Sequence, residues 1–375
     1  MKSDYSFTTN QLLGLCSLCF LVPALRLFPA SAAELAGRAC SLAAPAALPL
    51  LLAYVYFLSR LMQGAGNGKG LGELCLDCLG PGPGKGLLFL FALWYVLYGA
   101  FVLRTGADRL ITTVYPYASP RFFVVTTGLL SLLAALCPAR TLVRTAKLAL
   151  PAVLGFLFLI LIYSLFSINR YNLMPVGPQD LVPVLKASVS AVNVSVGVLY
   201  TSCFLAVKMG EQPLRFSPCA LWLLFATVIL TALNVAICGS FGPALTGRLA
   251  HPFFSLVRGT VFFKSVERVE ALVVSLWLFP DFLVVGLVLF AGQYCLRLAL
   301  GMEPAADGGK ILSFQRGRWL IWLCGLGCIL LGMFLAPSPS SMDFWSKKVI
   351  PWLNLGVAFL IVPLIYIVGK WRNRL

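Results

Sequence analysis

The chain has 375 residues, 60% of them hydrophobic and only 11% charged, with a formal net charge of +16. An average soluble domain carries roughly 25% charged residues, so a soluble enzyme or soluble binding module is excluded. The basic excess does not mark a nucleic-acid binder, because the Lys and Arg residues are scattered through short connections and segment ends, where they anchor a chain among lipid headgroups.

Hydrocarbon offers no hydrogen-bond partner to a bare backbone, so long apolar runs in a bilayer must be helices. Ten such runs are expected, near residues 9–29, 41–62, 87–112, 121–138, 142–167, 184–208, 217–239, 266–298, 318–337 and 348–369. The fold class that follows is an all-α polytopic membrane protein, a single transmembrane domain over residues 1–375. Of the 12 cysteines, Cys16, Cys19, Cys137, Cys203, Cys238, Cys324 and Cys328 fall inside these runs. There they act as small polarizable hydrophobes rather than bridges.

In the first run, Pro23 removes a helix hydrogen bond, which predicts a break over Val22, Pro23 and Ala24. Ala30-Ser31-Ala32 imitates a cleavage site, but Lys2 is balanced by Asp4 and no positive cluster precedes it, so the run is read as a retained span. The Gly-rich connector Gly64–Gly86 lacks the spacing of a phosphate loop and contains a short amphipathic piece around Leu71–Leu79. Its Cys75 and Cys78 form a lone CxxC, and His251 is the only histidine, so neither a metal nor a cofactor is expected. In the third run, Tyr95 and Tyr98 offer ring surface and a hydroxyl to a ligand. Arg104 and Asp108, four apart on one face, predict a local ion pair. Arg140, Arg144 and Lys147, together with Lys370, Arg372 and Arg374, place both termini on the cytoplasmic side.

The runs divide five and five at residues 168–183. Five is odd, so the second set enters the membrane from the opposite side. This predicts an inverted repeat of residues 1–167 and 184–375, with the first helix of each half broken near the midplane. In the sixth run, Asn193-Val194-Ser195-Val196-Gly197-Val198 supplies β-branched residues, a glycine and polar side chains for that break, and Asn193, Gly197 and Tyr200 share one helical face. Asn234 and Gln293 are expected to make interhelical hydrogen bonds. Residues 240–265, with Arg248, His251, Arg258 and Lys264, are read as an interfacial helix, with a lid over a vestibule as the other reading. In the eighth run, Asp281 follows Pro280, and Trp277, Val274 and Glu270 precede it by four, seven and eleven residues. Glu270 and Asp281 therefore share a face about 16 Å apart. An intramembrane carboxylate marks function by default: Asp281 either couples a proton or cation or is paired with a neighbouring helix. No Ser/His/Asp set, HExxH motif or pair of catalytic carboxylates is present, so the chain is not read as an enzyme.

Phe7-Thr8-Thr9-Asn10-Gln11-Leu12 opens the first run, and Pro29 and Ala36-Gly37-Arg38-Ala39 lead into the second. Pro151 lies in the fifth, and Asn172-Leu173-Met174-Pro175 precedes the sixth. Val266-Glu267-Arg268-Val269-Glu270-Ala271, followed by Trp277, enters the eighth. In order and spacing these stretches resemble the permease (B) subunit of GerA-type bacterial endospore germination receptors, within the amino acid–polyamine–organocation transporter superfamily. The resemblance implies the ten-helix inverted-repeat (LeuT-like) fold, a germinant such as an L-amino acid, and A and lipoprotein C subunits as partners in the spore inner membrane. It also implies ligand sensing on a transporter scaffold. Relatives have a glycine-rich break where this chain has Val22-Pro23-Ala24, and often an acidic residue where it has Val198. The expected site lies between the first, third, sixth and eighth runs. Backbone at Val22–Leu25 and Ser195–Val198 would orient the ligand, with Tyr95, Tyr98 and Trp277 as walls. The rivals are a secondary amino acid transporter coupled to H⁺ or Na⁺ through Asp281, and a membrane scaffold whose site has decayed.

Overall fold

The computed structural model describes residues 8–64, 69–205, 214–259, 269–302, 319–372 and 374. The Glu270 side chain and Lys264 lie outside what is described. Helix α1 (Thr9–Arg26) is started by a reciprocal cap: Gln11 N–H donates to the Thr8 hydroxyl at 3.4 Å, and Thr8 N–H donates to the Gln11 side chain at 3.1 Å. The Gln11 N–H is shared with the Thr8 carbonyl at 3.1 Å, and the Thr8 N–H, which has no helical carbonyl before it, is satisfied by the Gln11 side chain.

The interruption expected over Val22–Ala24 lies instead at Leu27, where the chain turns into α2 (Phe28–Ala36). Pro23 sits inside α1, and Leu27 N–H still bonds its carbonyl at 2.9 Å. Pro29 explains the displacement. It has no N–H to offer the Leu25 carbonyl, so the ladder of α1 cannot be carried through it. Pro29 occupies the first turn of a new helix, where a missing N–H costs nothing.

A 3₁₀ turn at Gly37–Leu42 leads into α3 (Ala43–Gly64). The amphipathic piece expected in the connector is α4 (Leu71–Leu79). Tyr294 donates a hydrogen bond to Glu73 there, and Arg372 Nη1 donates to the Cys78 carbonyl at 3.2 Å. Burial raises the pKa of both Cys75 and Cys78, which keeps them as inert thiols at neutral pH.

The remaining helices are α5 (Pro81–Thr113), α6 (Pro120–Leu136), α7 (Ala139–Ser164), α8 (Leu181–Leu205) and α9 (Phe216–Phe241). They continue with α10 (Pro243–Thr246), α11 (Pro252–Gly259), α12 (Val269–Ala299) and α13 (Trp319–Phe334). The last run joins α14 (Pro339–Phe344), α15 (Ile350–Gly356) and α16 (Val362–Trp371) through π turns at Trp345–Val349 and Val357–Ile361. Among the described residues, eight helical runs are long and apolar enough to cross a bilayer, and α6 and α13 are shorter apolar helices beside them. The chain is a multi-pass, all-helical membrane protein.

Helix α8 runs without interruption through Asn193–Val198, unlike the break expected there. Two of its hydroxyl side chains turn back onto their own helix: Ser195 Oγ donates to the Ala191 carbonyl at 2.9 Å and Thr201 Oγ1 to the Gly197 carbonyl at 2.7 Å. One glycine costs a helix about 1 kcal/mol. Opening peptide groups to a dry interior costs several kcal/mol, so the helix persists.

Two helix groups meet across α1. One contains α1, α2, α3, α8 and α9; the other contains α5, α6, α12 and α13, with α5 against α12 as its most extensive contact. Helix α1 touches both α8 and α12, so the turn at Leu27 falls where the groups meet. Asn234 makes the expected interhelical bond, donating to the Cys40 carbonyl at 2.9 Å, whereas Gln293 Oε1 has no partner among the described residues. Within the described part of the 240–265 segment, Phe253, Phe254, Leu256 and Val257 of α11 are buried in the protein rather than turned to a lipid interface.

Candidate functional site

Helix α5 delivers three charged residues, Arg104, Asp108 and Arg109, to one end of the bundle, and each reaches across to another element. Arg109 forms an ion pair with Asp281 of α12, with the two residues only 4% and 2% exposed. Gly106 lets the helices close there, since a Cβ at that position would sit 3.3 Å from Asp281 Oδ2. The Arg109 guanidinium also lies over the Phe254 ring at 5.3 Å, and Phe254 packs edge-on against Trp277. Asp281 and Trp277 are thus brought together with α11. The pair expected between Arg104 and Asp108 is not formed: Arg104 Nε donates to the Ala336 carbonyl at 3.2 Å, and Asp108 Oδ2 faces His251 Nε2 at 3.4 Å. Each finds a partner on another segment because that neighbour is already fixed by packing.

A cavity of about 170 Å³ opens among the α1–α2 turn, α5, the α10–α11 segment and the last run. Arg26, Arg248 and Lys347 bring positive charge to it, and Asp108 and Asp343 bring negative charge. Arg26 is held by donation from Nη2 to Ser346 Oγ at 3.1 Å and by the Phe101 ring 4.6 Å below its guanidinium. Neither ring nitrogen of His251 meets hydrogen-bond geometry with a described residue, and Nε2 lies 3.4 Å from Asp108 Oδ2.

Burial lowers the His251 pKa; Asp108 opposes that shift and Arg109 reinforces it. The ring is therefore neutral at pH 7, and the Asp108 carboxylate is left with its charge facing the cavity. The linkage has a definite sign. Above about pH 6.5 the ring is neutral in both the folded and the unfolded chain. As pH falls through that value the unfolded chain takes up the proton first, so stability declines until the folded pKa is passed. A His251→Gln variant is expected to flatten this decline when unfolding temperature is followed from about pH 7.5 to 5. An unchanged slope would remove His251 from the account.

A second assembly forms on α8. Trp94 Nε1 donates to the Tyr200 hydroxyl at 2.9 Å, and Tyr200 donates to Asn354 Oδ1 at 2.7 Å. Asn354 Nδ2 in turn donates to the carbonyl and side-chain oxygens of Asn193 at 2.7 and 2.8 Å. The expected face of Asn193, Gly197 and Tyr200 is real, and α15 closes it: a Cβ on Gly197 would lie 2.9 Å from the Asn354 amide.

Other expected site residues are placed elsewhere. Tyr98 stacks on Trp94 at 5.6 Å, while Tyr95 is buried between Phe91 and Phe204, its hydroxyl within normal geometry of no partner among the described residues. Val22, Pro23, Ala24 and Ser195 are buried within their helices. No group of metal-ligating side chains gathers among the described residues. Arg26, Arg109, His251 and Asn354 were missed as site residues. The signals were a cation inside the first run three residues before Pro29, and a lone amide in an otherwise apolar last run.

The family model described as "Spore germination protein" matches residues 27–314. "Putative spore germination protein YfkT" of Bacillus subtilis (strain 168) is 24% identical over 329 residues, covering 86% of this chain and 84% of that protein. "Spore germination protein KB" of the same organism is 24% identical over 305 residues, covering 78% and 77%. Among solved structures, Mhp1, a nucleobase-cation-symport-1 family transporter in a closed conformation with bromovinylhydantoin bound, superposes with a TM-score of 0.61. It is 12% identical, with 99% of this chain and 86% of that chain covered. A Na⁺-coupled sialic acid symporter in a substrate-bound outward-open state gives 0.52 at 11% identity, with 95% and 88% covered. At these identities the structural likeness establishes a shared, LeuT-like transporter fold and nothing further.

Proposed function

This chain belongs to the spore germination protein family, and from that premise we propose that it is the membrane-embedded sensing subunit of a germination receptor. In this reading it binds a small zwitterion of the amino-acid class and passes the change to A and C subunits in the spore inner membrane.

The observation that carries the reading is the mixed-charge cavity at the α1–α2 turn. Arg26 and its neighbour Arg248 suit a carboxylate, while Asp108 and Asp343 suit an ammonium group. The C-terminal end of α1 adds further negative potential from its free carbonyls. A ligand here would touch α1, α5, the α10–α11 segment and the last run together, so it can favour one arrangement of them over another.

Two features favour a sensor over a carrier. A coupled carrier must offer its cation a free carboxylate or opened carbonyls. Here Arg109 already neutralises Asp281, and Asn354 closes the polar face of an unbroken α8. The two halves, residues 1–167 and 184–375, are read as inverted repeats. In support, α4 follows the second membrane helix of its half as α10–α11 follow the second of theirs.

The test is ligand-induced thermal stabilisation of the purified protein across an amino acid panel. Arg26→Gln removes one charge-assisted hydrogen-bond donor, worth about 1.5–3 kcal/mol, and is expected to weaken binding about 10- to 100-fold. Full stabilisation of that variant would displace the site. Sustained, ion-driven accumulation of a labelled amino acid in proteoliposomes would instead establish the carrier.

A further inference from the structure

The last helical run is irregular where it faces α8. π turns are rare and recur at functional sites. Here two of them, Trp345–Val349 and Val357–Ile361, bracket α15. Between α15 and the start of α8 the surface is hollow along this length. At one end is a cavity of about 390 Å³ whose wall includes Lys186, Ser190, Glu34 and Lys347. It continues into one of about 450 Å³ lined by Leu50, Val192, Gly356, Phe359 and Leu360. The two share Val189, Trp352 and Leu355, so they form one groove, charged at its mouth and apolar below.

We propose that this groove holds an anionic phospholipid, with its phosphate at Lys186 and one acyl chain along α15. Charge sets the headgroup. Lys347 is paired with Glu34 at 2.7 Å, whereas Lys186 is exposed and makes no ion pair among the described residues, so the mouth carries one unbalanced positive charge. Length fits the tail. From Ser346 to Leu360 the run rises about 21 Å, and half of a hydrocarbon core is about 15 Å, so one leaflet's chain spans the apolar stretch. Gly356 is the bare floor of the groove: a Cβ there would meet nothing within 4 Å. The mouth also shares Leu27, Ser31, Ser346 and Lys347 with the cavity at the α1–α2 turn. A bound headgroup therefore forms the side wall of that cavity.

Native mass spectrometry of the full chain, titrated with phosphatidylglycerol or phosphatidylcholine, tests this without reference to any germinant. Wild type should retain phosphatidylglycerol about fivefold better than phosphatidylcholine, the worth of one basic residue near a membrane surface. Lys186→Glu should abolish that preference. Gly356→Phe, which fills the groove from open space and so should leave the unfolding temperature unchanged, should reduce retention of both lipids. Equal retention of the two lipids by wild type would overturn the proposal. So would undiminished lipid in a folded Gly356→Phe variant; if that variant also failed to co-purify with a receptor subunit, the groove would be a protein interface.

Discussion

Replacing Arg109 by leucine is expected to destabilise the protein by about 3–5 kcal/mol, because it leaves the buried Asp281 carboxylate without its counter-charge. Asp281→Leu should do comparable damage by stranding the guanidinium. The double variant, Arg109→Leu with Asp281→Leu, should recover most of the loss, since an apolar pair of similar volume has no desolvation penalty to offset. Denaturant unfolding of the three variants in detergent gives the coupling energy directly. If the two carbon-only replacements simply add, the residues do not act as a pair. If Arg109→Leu alone is neutral, Asp281 is held by something else and its availability as a coupling carboxylate reopens. The pair also holds α11 through Phe254, so Arg109→Leu should speed proteolysis within residues 243–259 beyond the global effect.

The second large effect is expected at Gly197. Leucine there cannot coexist with Asn354, whose amide would lie 2.9 Å from the new Cβ before the rest of the side chain is counted. Overpacking costs about 1–3 kcal/mol. Displacing Asn354 also leaves the Asn193 side-chain oxygen without its donor, and an unpaired buried group costs about 1–3 kcal/mol more. Gly197→Leu is therefore expected to lower the unfolding temperature by many degrees. Gly197→Ala combined with Asn354→Ala should cost less than the sum of its parts, because the smaller partner makes room for the methyl group. Additivity of those two changes would show that the helices do not meet through this contact. Lost ligand stabilisation in Gly197→Leu alone does not place the ligand at α8, since the substitution also disturbs α15.

How far the chain could be read before its tertiary structure was known depended on whether each residue's partner lay nearby in sequence. Apolar runs declare themselves as helices locally, so the spans, the α4 segment and the single polar face of Asn193, Gly197 and Tyr200 were all legible. Pro23 was legible as a breaker but misjudged in effect. A proline removes one bond wherever it stands, whereas Pro29 also had the start of a new helix to occupy. Arg104 and Asp108 were paired because their spacing allows it on an isolated helix. In the bundle each is drawn away by a fixed partner more than 100 residues distant, the Ala336 carbonyl and His251.

The sequence by itself therefore determined that this is a helical membrane protein of a recognisable family, because burial of apolar runs in lipid and the hydrogen bonding of each run are satisfied within the run. Only the tertiary structure decided what the polar residues do. Asp281 is claimed by Arg109, Asn193 and Tyr200 by Asn354, and charges of both signs gather at the α1–α2 turn. A buried polar group must find its complement wherever packing brings one, and that pairing between distant segments is not written in the spacing of either.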